Sequence, residues 1–129
     1  MYLKNFKTIV IKIGSSLLIN DKKTIRKKWL SEFAKDIKDL LNDKKNVIIV
    51  SSGSIALGCK KLNLNKKKLK LDKSQAVASI GQIELMNLYQ NVFKKLKIKI
   101  SQILLTLDDT EQRRRSINAR RTIDNLLTM

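Results

Sequence analysis

The chain has 129 residues, 28 of them basic and 11 acidic, for a formal charge of +17; 43% are hydrophobic and 5% aromatic. The length is one domain's worth and the composition is globular, which excludes a disordered segment and calls for a core of Ile, Leu and Val around the one tryptophan, Trp29. No apolar run approaches the ~20 residues of a membrane span, no secretory leader opens the chain, and Cys59 has no second cysteine to pair with, so a soluble protein of the reducing cytoplasm is expected.

Residues 8–13 read as a first strand. Ile9, Val10, Ile11 and Ile13 are β-branched, as in parallel sheets buried on both faces. The strand runs into Lys12, Gly14, Ser15 and Ser16. Gly14 frees the backbone for a sharp turn, successive amides there can enclose an anion, and Lys12 adds a point charge. An ordinary strand end with a solvated lysine accounts for the same residues. The spacing matches neither the Walker loop nor the dinucleotide fingerprint. After a loop over residues 17–21, a helix is expected over residues 22–42, where Ile25, Trp29, Phe33, Ile37 and Leu41 fall four apart with Leu30 and Leu40 beside them.

Val47, Ile48, Ile49 and Val50 form a second buried strand that exits through Ser51, Ser52, Gly53 and Ser54 into a helix over residues 54–62. Cys59 reads as a small apolar residue on that helix. The helix start, with its free amides and positive dipole end, favours an anion. Strand, helix, strand makes a βαβ unit. Ligands of open parallel sheets bind beyond the carboxyl ends of the strands, so the two turns should converge on one crevice.

The basic run over residues 60–73 carries no interleaved aromatics for base stacking, and lysine outnumbers arginine 22 to 6 along the whole chain. That is the bias of an AT-rich coding sequence, and the run reads as a solvated connection. Asp72 and Gln75 suggest a capping box for a helix reaching residue 97. Val77, Ile80, Met86, Tyr89 and Phe93 are its expected core face, and Ala76, Ala78, Ser79 and Gly81 keep its first half thin. A mid-helix glycine costs about 1 kcal/mol relative to alanine, so Gly81 implies close packing against another element, a ligand or a second subunit. Gln82 and Glu84 fit either a site or a solvated surface. Residues 98–106 read as a third strand. Asp108 and Asp109 suit magnesium or, the favoured reading, a helix cap. The last helix, residues 112–127, carries Arg113, Arg114, Arg115, Arg120 and Arg121, a cluster able to clamp a carboxylate or phosphate.

Taken in order, these motifs resemble the glutamate 5-kinase branch of the amino acid kinase family. The resemblance runs from Ile11 to Ser16, from Val50 to Gly58, through Gln75 to Ala78 with Gly81 and Gln82, over Gln102 to Thr106, and ends at Asn118, Ala119, Arg120 and Thr122. The Ser-Gly-Ser-Ile-Ala-Leu-Gly element discriminates most, since acetylglutamate and isopentenyl phosphate kinases have a histidine and glycines there, and this chain has no histidine.

The resemblance implies an α/β fold, a three-layer αβα sandwich with a mainly parallel sheet, and transfer of the ATP γ-phosphoryl group to the side-chain carboxylate of L-glutamate, the first step of proline biosynthesis. It implies that Lys12, with Gly14 and Ser15, meets the ATP phosphates and that Ser52 and Gly53 bind glutamate. The family continues into an acidic, asparagine-rich segment and an ATP-binding half. Residues 1–129 therefore correspond to the amino-terminal portion of the kinase domain, with magnesium ligands lying elsewhere and no activity expected of this polypeptide alone. A homo-oligomer or a missing C-terminal half is the expected partner, and membrane association is not expected. The kinase part of a bifunctional glutamate kinase/glutamyl phosphate reductase and a small basic nucleic-acid-binding protein are the competing readings.

Overall fold

Two strands, β1 (Thr8–Ile13) and β2 (Asn46–Ser51), pair in parallel in the computed structural model, which describes residues 2–20, 24–65 and 69–129. The register sets Thr8 opposite Asn46 and Ile13 opposite Ser51, so both strands end together. A parallel pair needs a crossover. Helix α2 (Lys27–Asn42) supplies it, completing the expected βαβ unit.

The strands are not buried on both faces. Ile9, Ile11 and Ile13 turn inward, whereas Val10 is 62% and Val50 50% exposed, and Lys12 shares that open side. Alternation of this kind belongs to a sheet covered on one face.

Between β1 and α2 the chain makes a single helical turn, α1 (Ser15–Leu18), in place of the expected loop, because Leu17 and Ile19 amides close back on the Gly14 and Ser15 carbonyls. Leu18 and Ile19 are thereby buried. Ile25, expected on the helix, instead bridges Ile19, and the helix starts only at Lys27; residues 22–23 of the expected helix lie outside the described residues. On α2 the centre of the buried face is Leu30, Ala34 and Ile37. Trp29 and Phe33 stack at its margin, ring centroids 5.4 Å apart.

Helix α3 (Ser54–Lys61) follows β2, and α4 (Leu71–Lys95) is the longest element. Helix α4 begins one residue before Asp72, with Lys70 at its N-cap and no side-chain cap, so the Asp72–Gln75 capping box does not form. Asp72 instead sits in the first turn, where it complements the dipole. The buried stripe is Val77, Gly81, Leu85, Tyr89 and Phe93, a strict spacing of four. Leu85 takes the place expected for Met86, and Ile80 is exposed.

Gly58 on α3 and Gly81 on α4 explain how closely these helices cross. A Cβ on Gly81 would collide with the Ser54 carbonyl and the Gly58 amide, and one on Gly58 with the Val77 carbonyl. Of the three reasons open for Gly81, contact with another element of the same chain is the one realised.

Three helices end in the same way. Lys44, Asn63 and Lys97 adopt φ of 59°, 55° and 56°, and the residues after them return amides to the Leu40, Cys59 and Phe93 carbonyls at 3.0, 2.8 and 3.0 Å. This is the Schellman arrangement with a side chain where glycine is usual. It corrects the expected third strand: Ile98 uses its amide to close α4, and residues 98–106 have no ladder partner among the described residues. β propensity alone does not make a strand.

Residues 1–99 and 100–129 form two compact units. The core belongs to the first: Ile13, Leu18, Ile19, Leu30, Ala34, Ile37, Leu57, Leu85, Tyr89 and Phe93 form one cluster. The second holds α5 (Leu107–Glu111) and α6 (Arg113–Thr128) and buries no residue completely. The middle of the basic run, residues 66–68, lies outside the described residues, while its flanks are the ends of α3 and α4.

Candidate functional site

The carboxyl ends of β1 and β2 are held together by the Ser52 amide, which donates to the Ile13 carbonyl at 3.0 Å. Beyond that bond the chain turns into α1 at Gly14 and into α3 at Gly53. Gly53 has φ 127° and ψ −4°, a conformation that side chains rarely adopt. Its missing Cβ would point at the other turn, 3.4 Å from Leu18 Cδ1 and 3.8 Å from Ser15 Cα. The two turns read from the sequence are therefore neighbours in space.

Gly14 behaves differently from expectation. Its φ of −76° and ψ of 157° are open to any residue, and a Cβ would meet only Ser16 Oγ, at 4.0 Å. Neither backbone freedom nor packing within the described residues requires a glycine there. What distinguishes the position is open space next to the backbone.

Helix α3 starts without a side-chain cap, with Gly53 at its N-cap. No described carbonyl or side chain accepts from the Gly53 amide, which leads the free donors of the first turn. Lys12 lies two residues before Gly14 on the open side of the sheet, opposite Val50, and makes no ion pair with a described residue. Gly14, Ser15, Ser52 and Gly53 thus gather around one strand edge, with Lys12 on the adjoining strand face. The result is a surface of unpaired amides and one free ammonium, suited to an anion.

Sequence reasoning placed Tyr89 in the core and missed its polar end. The ring is 5% exposed and stacks on Phe93, centroids 6.1 Å apart, while its hydroxyl lies 2.8 Å from Ser51 Oγ at the end of β2. Burial pushes the phenol above its ordinary pKa, and the Ser51 hydrogen bond partly opposes that. The signal available was chemical: a tyrosine on a buried stripe needs a partner for its hydroxyl.

Other candidates resolve locally. Glu84 pairs with Lys61 of α3 at 3.1 Å, so it braces the helix crossing. Asp109 accepts from the Thr106 amide at 2.8 Å and the Thr106 hydroxyl at 2.7 Å in a capping box; the helix-cap reading holds for Asp109, but the helix capped is α5 and its N-cap is Thr106. Those bonds, the amide's first, hold its carboxyl below the usual range, with Arg115 adding to the effect. Arg120 lies 3.9 Å from Asp124, and Arg113, Arg114 and Arg121 line an open groove of about 400 Å³ with Ile117 and Asn118. Among the described residues no three acids, cysteines or histidines gather as a metal-binding group.

Comparison with known proteins bears on this arrangement. The profile of the amino acid kinase family matches residues 7–129. The chain is 73% identical over 129 residues to a glutamate 5-kinase of Pelagibacter ubique (strain HTCC1062), covering 100% of this chain and 35% of that protein. Glutamate 5-kinases of Nitrobacter hamburgensis and Brucella abortus (strain S19) are 52% and 49% identical, each covering 98% of this chain and 34% of the relative. The chain spans about a third of the length of the curated relatives it matches.

Proposed function

The chain belongs to the amino acid kinase family, and on that premise we propose that it is the amino-terminal part of a kinase that phosphorylates the side-chain carboxylate of L-glutamate with ATP. The product, glutamyl 5-phosphate, opens proline biosynthesis. The observation that carries the reading is the meeting of two glycine turns, Gly14–Ser15 and Ser52–Gly53, at the ends of adjacent parallel strands, with the α3 amides unpaired beside them.

The chemistry suits this construction. A carboxylate is already ionised and nucleophilic at neutral pH, so no general base has to be found among these residues. What remains is to hold two anions in line and to neutralise the transferring oxygens. Lys12 is assigned to the ATP phosphates, with the Gly14 and Ser15 amides beside the transferring group; the open space at Gly14 lets a phosphoryl oxygen approach the backbone. Ser52 and Gly53 are assigned to glutamate. In the complete kinase, the β1–β2 pair would begin a larger, mainly parallel sheet between two helical layers. The half-exposed Val10 and Val50 are consistent with a second layer on the open face. Residues 1–129 would be the first portion of that domain, acting in the cytoplasm with the ATP-binding half or as an oligomer, and magnesium would be held outside the described residues.

The test is a chimera joining this chain to the remaining two-thirds of the Pelagibacter ubique relative, assayed for glutamate-dependent ATP consumption. Activity is expected. Lys12→Ala should reduce kcat by roughly 10²-fold or more, the order seen when one electrostatic contact to a transition state is lost, with an unchanged circular dichroism spectrum. Turnover like that of the unsubstituted chimera would remove the role given to Lys12. Binding of DNA that weakens steeply with salt, combined with indifference to glutamate and ATP, would favour the nucleic-acid reading instead.

A further inference from the structure

The Tyr89 hydroxyl sits at the end of a short relay. Ser51 Oγ donates to the Ser52 carbonyl at 3.3 Å, which uses the single proton of that hydroxyl. Either hydroxyl can donate the 2.8 Å contact between Ser51 Oγ and Tyr89; with the Ser51 proton on the Ser52 carbonyl, it is the tyrosine that donates. The relay runs from α4, through the last residue of β2, to the carbonyl of the peptide that precedes Gly53.

That peptide is trans, so its carbonyl and amide point in opposite directions. Fixing the Ser52 carbonyl therefore fixes the direction of the Gly53 amide, the unpaired donor at the head of α3. Backbone bonds hold the groups on either side, the Ser52 amide to the Ile13 carbonyl and the Leu57 amide to the Gly53 carbonyl, but none among the described residues holds the Ser52 carbonyl or the Gly53 amide of the peptide between them, and glycine at φ 127° can move through regions closed to other residues. The ring of Tyr89 is clamped by Phe93 and by the core, so its hydroxyl is a stationary anchor.

We infer that Tyr89 is a positioning residue for the substrate turn: acting through Ser51, its hydroxyl orients the Ser52–Gly53 peptide so that the Gly53 amide faces the glutamate carboxylate. The inference rests on the kinase reading for the identity of the ligand, and on the geometry alone for the relay.

Tyr89→Phe removes the hydroxyl and keeps the buried ring. In the chimera it should raise KM for glutamate about tenfold, a loss of about 1.4 kcal/mol, with kcat and KM for ATP within about twofold. Ser51→Ala should match it, the double variant should be no worse than either single change, and Ser51→Thr, which keeps the hydroxyl, should restore KM. An unchanged KM for glutamate, or equal losses for glutamate and ATP, overturns the proposal. If the unsubstituted chimera shows no glutamate-dependent turnover, the kinase reading falls and the ligand assignment falls with it. The relay is tested separately by amide hydrogen exchange in the 129-residue chain. Tyr89→Phe should speed exchange at Ser52 about tenfold while Leu85 in α4 holds its rate. No change at Ser52, or equal acceleration at Leu85, overturns the relay.

Discussion

Gly14, Gly53 and Gly81 are the same residue type serving three different needs, and substitution by alanine separates them. Gly81→Ala places a methyl group against the Ser54 carbonyl and the Gly58 amide. The ~1 kcal/mol of helix propensity gained is outweighed by overpacking of about 1–3 kcal/mol or more, because backbone cannot rotate away as a side chain can. Gly53→Ala should lose about 1–3 kcal/mol through strain at its positive φ. Gly14→Ala, by contrast, should leave stability within about 0.5 kcal/mol, yet abolish most turnover in the chimera if a phosphoryl oxygen approaches there. Urea unfolding midpoints for the three variants give the order. A destabilised Gly14→Ala protein would show that the fold, and not a ligand, requires that glycine. Tyr89 adds a pH dependence at the same scale. Its raised folded pKa means that its contribution is complete below the unfolded value of about 10 and is lost as pH rises through the higher folded value.

Among the elements, the Schellman ends of α2 and α4 offer a direct test of backbone cost. Lys44 and Lys97 hold left-handed conformations that cost an ordinary residue roughly 1–2 kcal/mol. Glycine removes that cost and adds about 0.5–1 kcal/mol of unfolded-state entropy loss, so Lys97→Gly should stabilise by about 0.5–1 kcal/mol, read as a higher urea midpoint. Asn63→Gly should gain less, since asparagine tolerates this region. At the start of α5 the Thr106–Asp109 box makes a prediction about pH. Because the Asp109 pKa is depressed, its contribution is present above the ordinary carboxylate value and lost as pH falls through the lower folded one. Thr106→Ala should move the carboxylate titration, followed by carbon-13 NMR, part of the way back up.

These elements also show what the amino-acid order makes legible. Residues 8–13 and the serine–glycine turns could be read, because each is set by neighbours in the chain: β-branched runs and small polar exits. The capping role of the Asp108–Asp109 pair was legible from the helical pattern after it, but its partner Thr106 was read as the end of a strand. The Asp72–Gln75 box had the spacing of a cap and failed, since α4 starts one residue earlier and moves Asp72 off the cap. Residues 98–106 have strand composition, but a strand exists only through a partner, and Ile98 is drawn into the end of α4. The choice of Leu85 over Met86 was hidden for a related reason: the crossing with α3 at Gly81 sets the rotation of α4. In the candidate site, chain order pointed to the turns, whereas the link from Tyr89 to Ser51 spans 38 positions and follows only from packing.

Over the whole molecule the net charge of +17 acts as self-repulsion within the folded state. The ion pairs among the described residues sit at solvent-accessible side chains, where each contributes little. Raising salt from about 0.01 M to about 0.15 M shortens the Debye length from roughly 30 Å to roughly 8 Å, so repulsion should fade faster than attraction and the urea midpoint should rise. A falling midpoint would show that paired charges outweigh the surplus.

The back-to-back crossing of Gly58 and Gly81 limits how this region can vary over generations. In most helix contacts a bulky substitution on one side can be rescued by a smaller residue opposite. Here a Cβ on Gly81 meets the Ser54 carbonyl and the Gly58 amide, and one on Gly58 meets the Val77 carbonyl, groups that no codon change can trim. A second-site suppressor of Gly81→Ala would therefore have to shift a helix, and because Gly53 is the N-cap of α3, that shift would be felt at the Ser52–Gly53 turn.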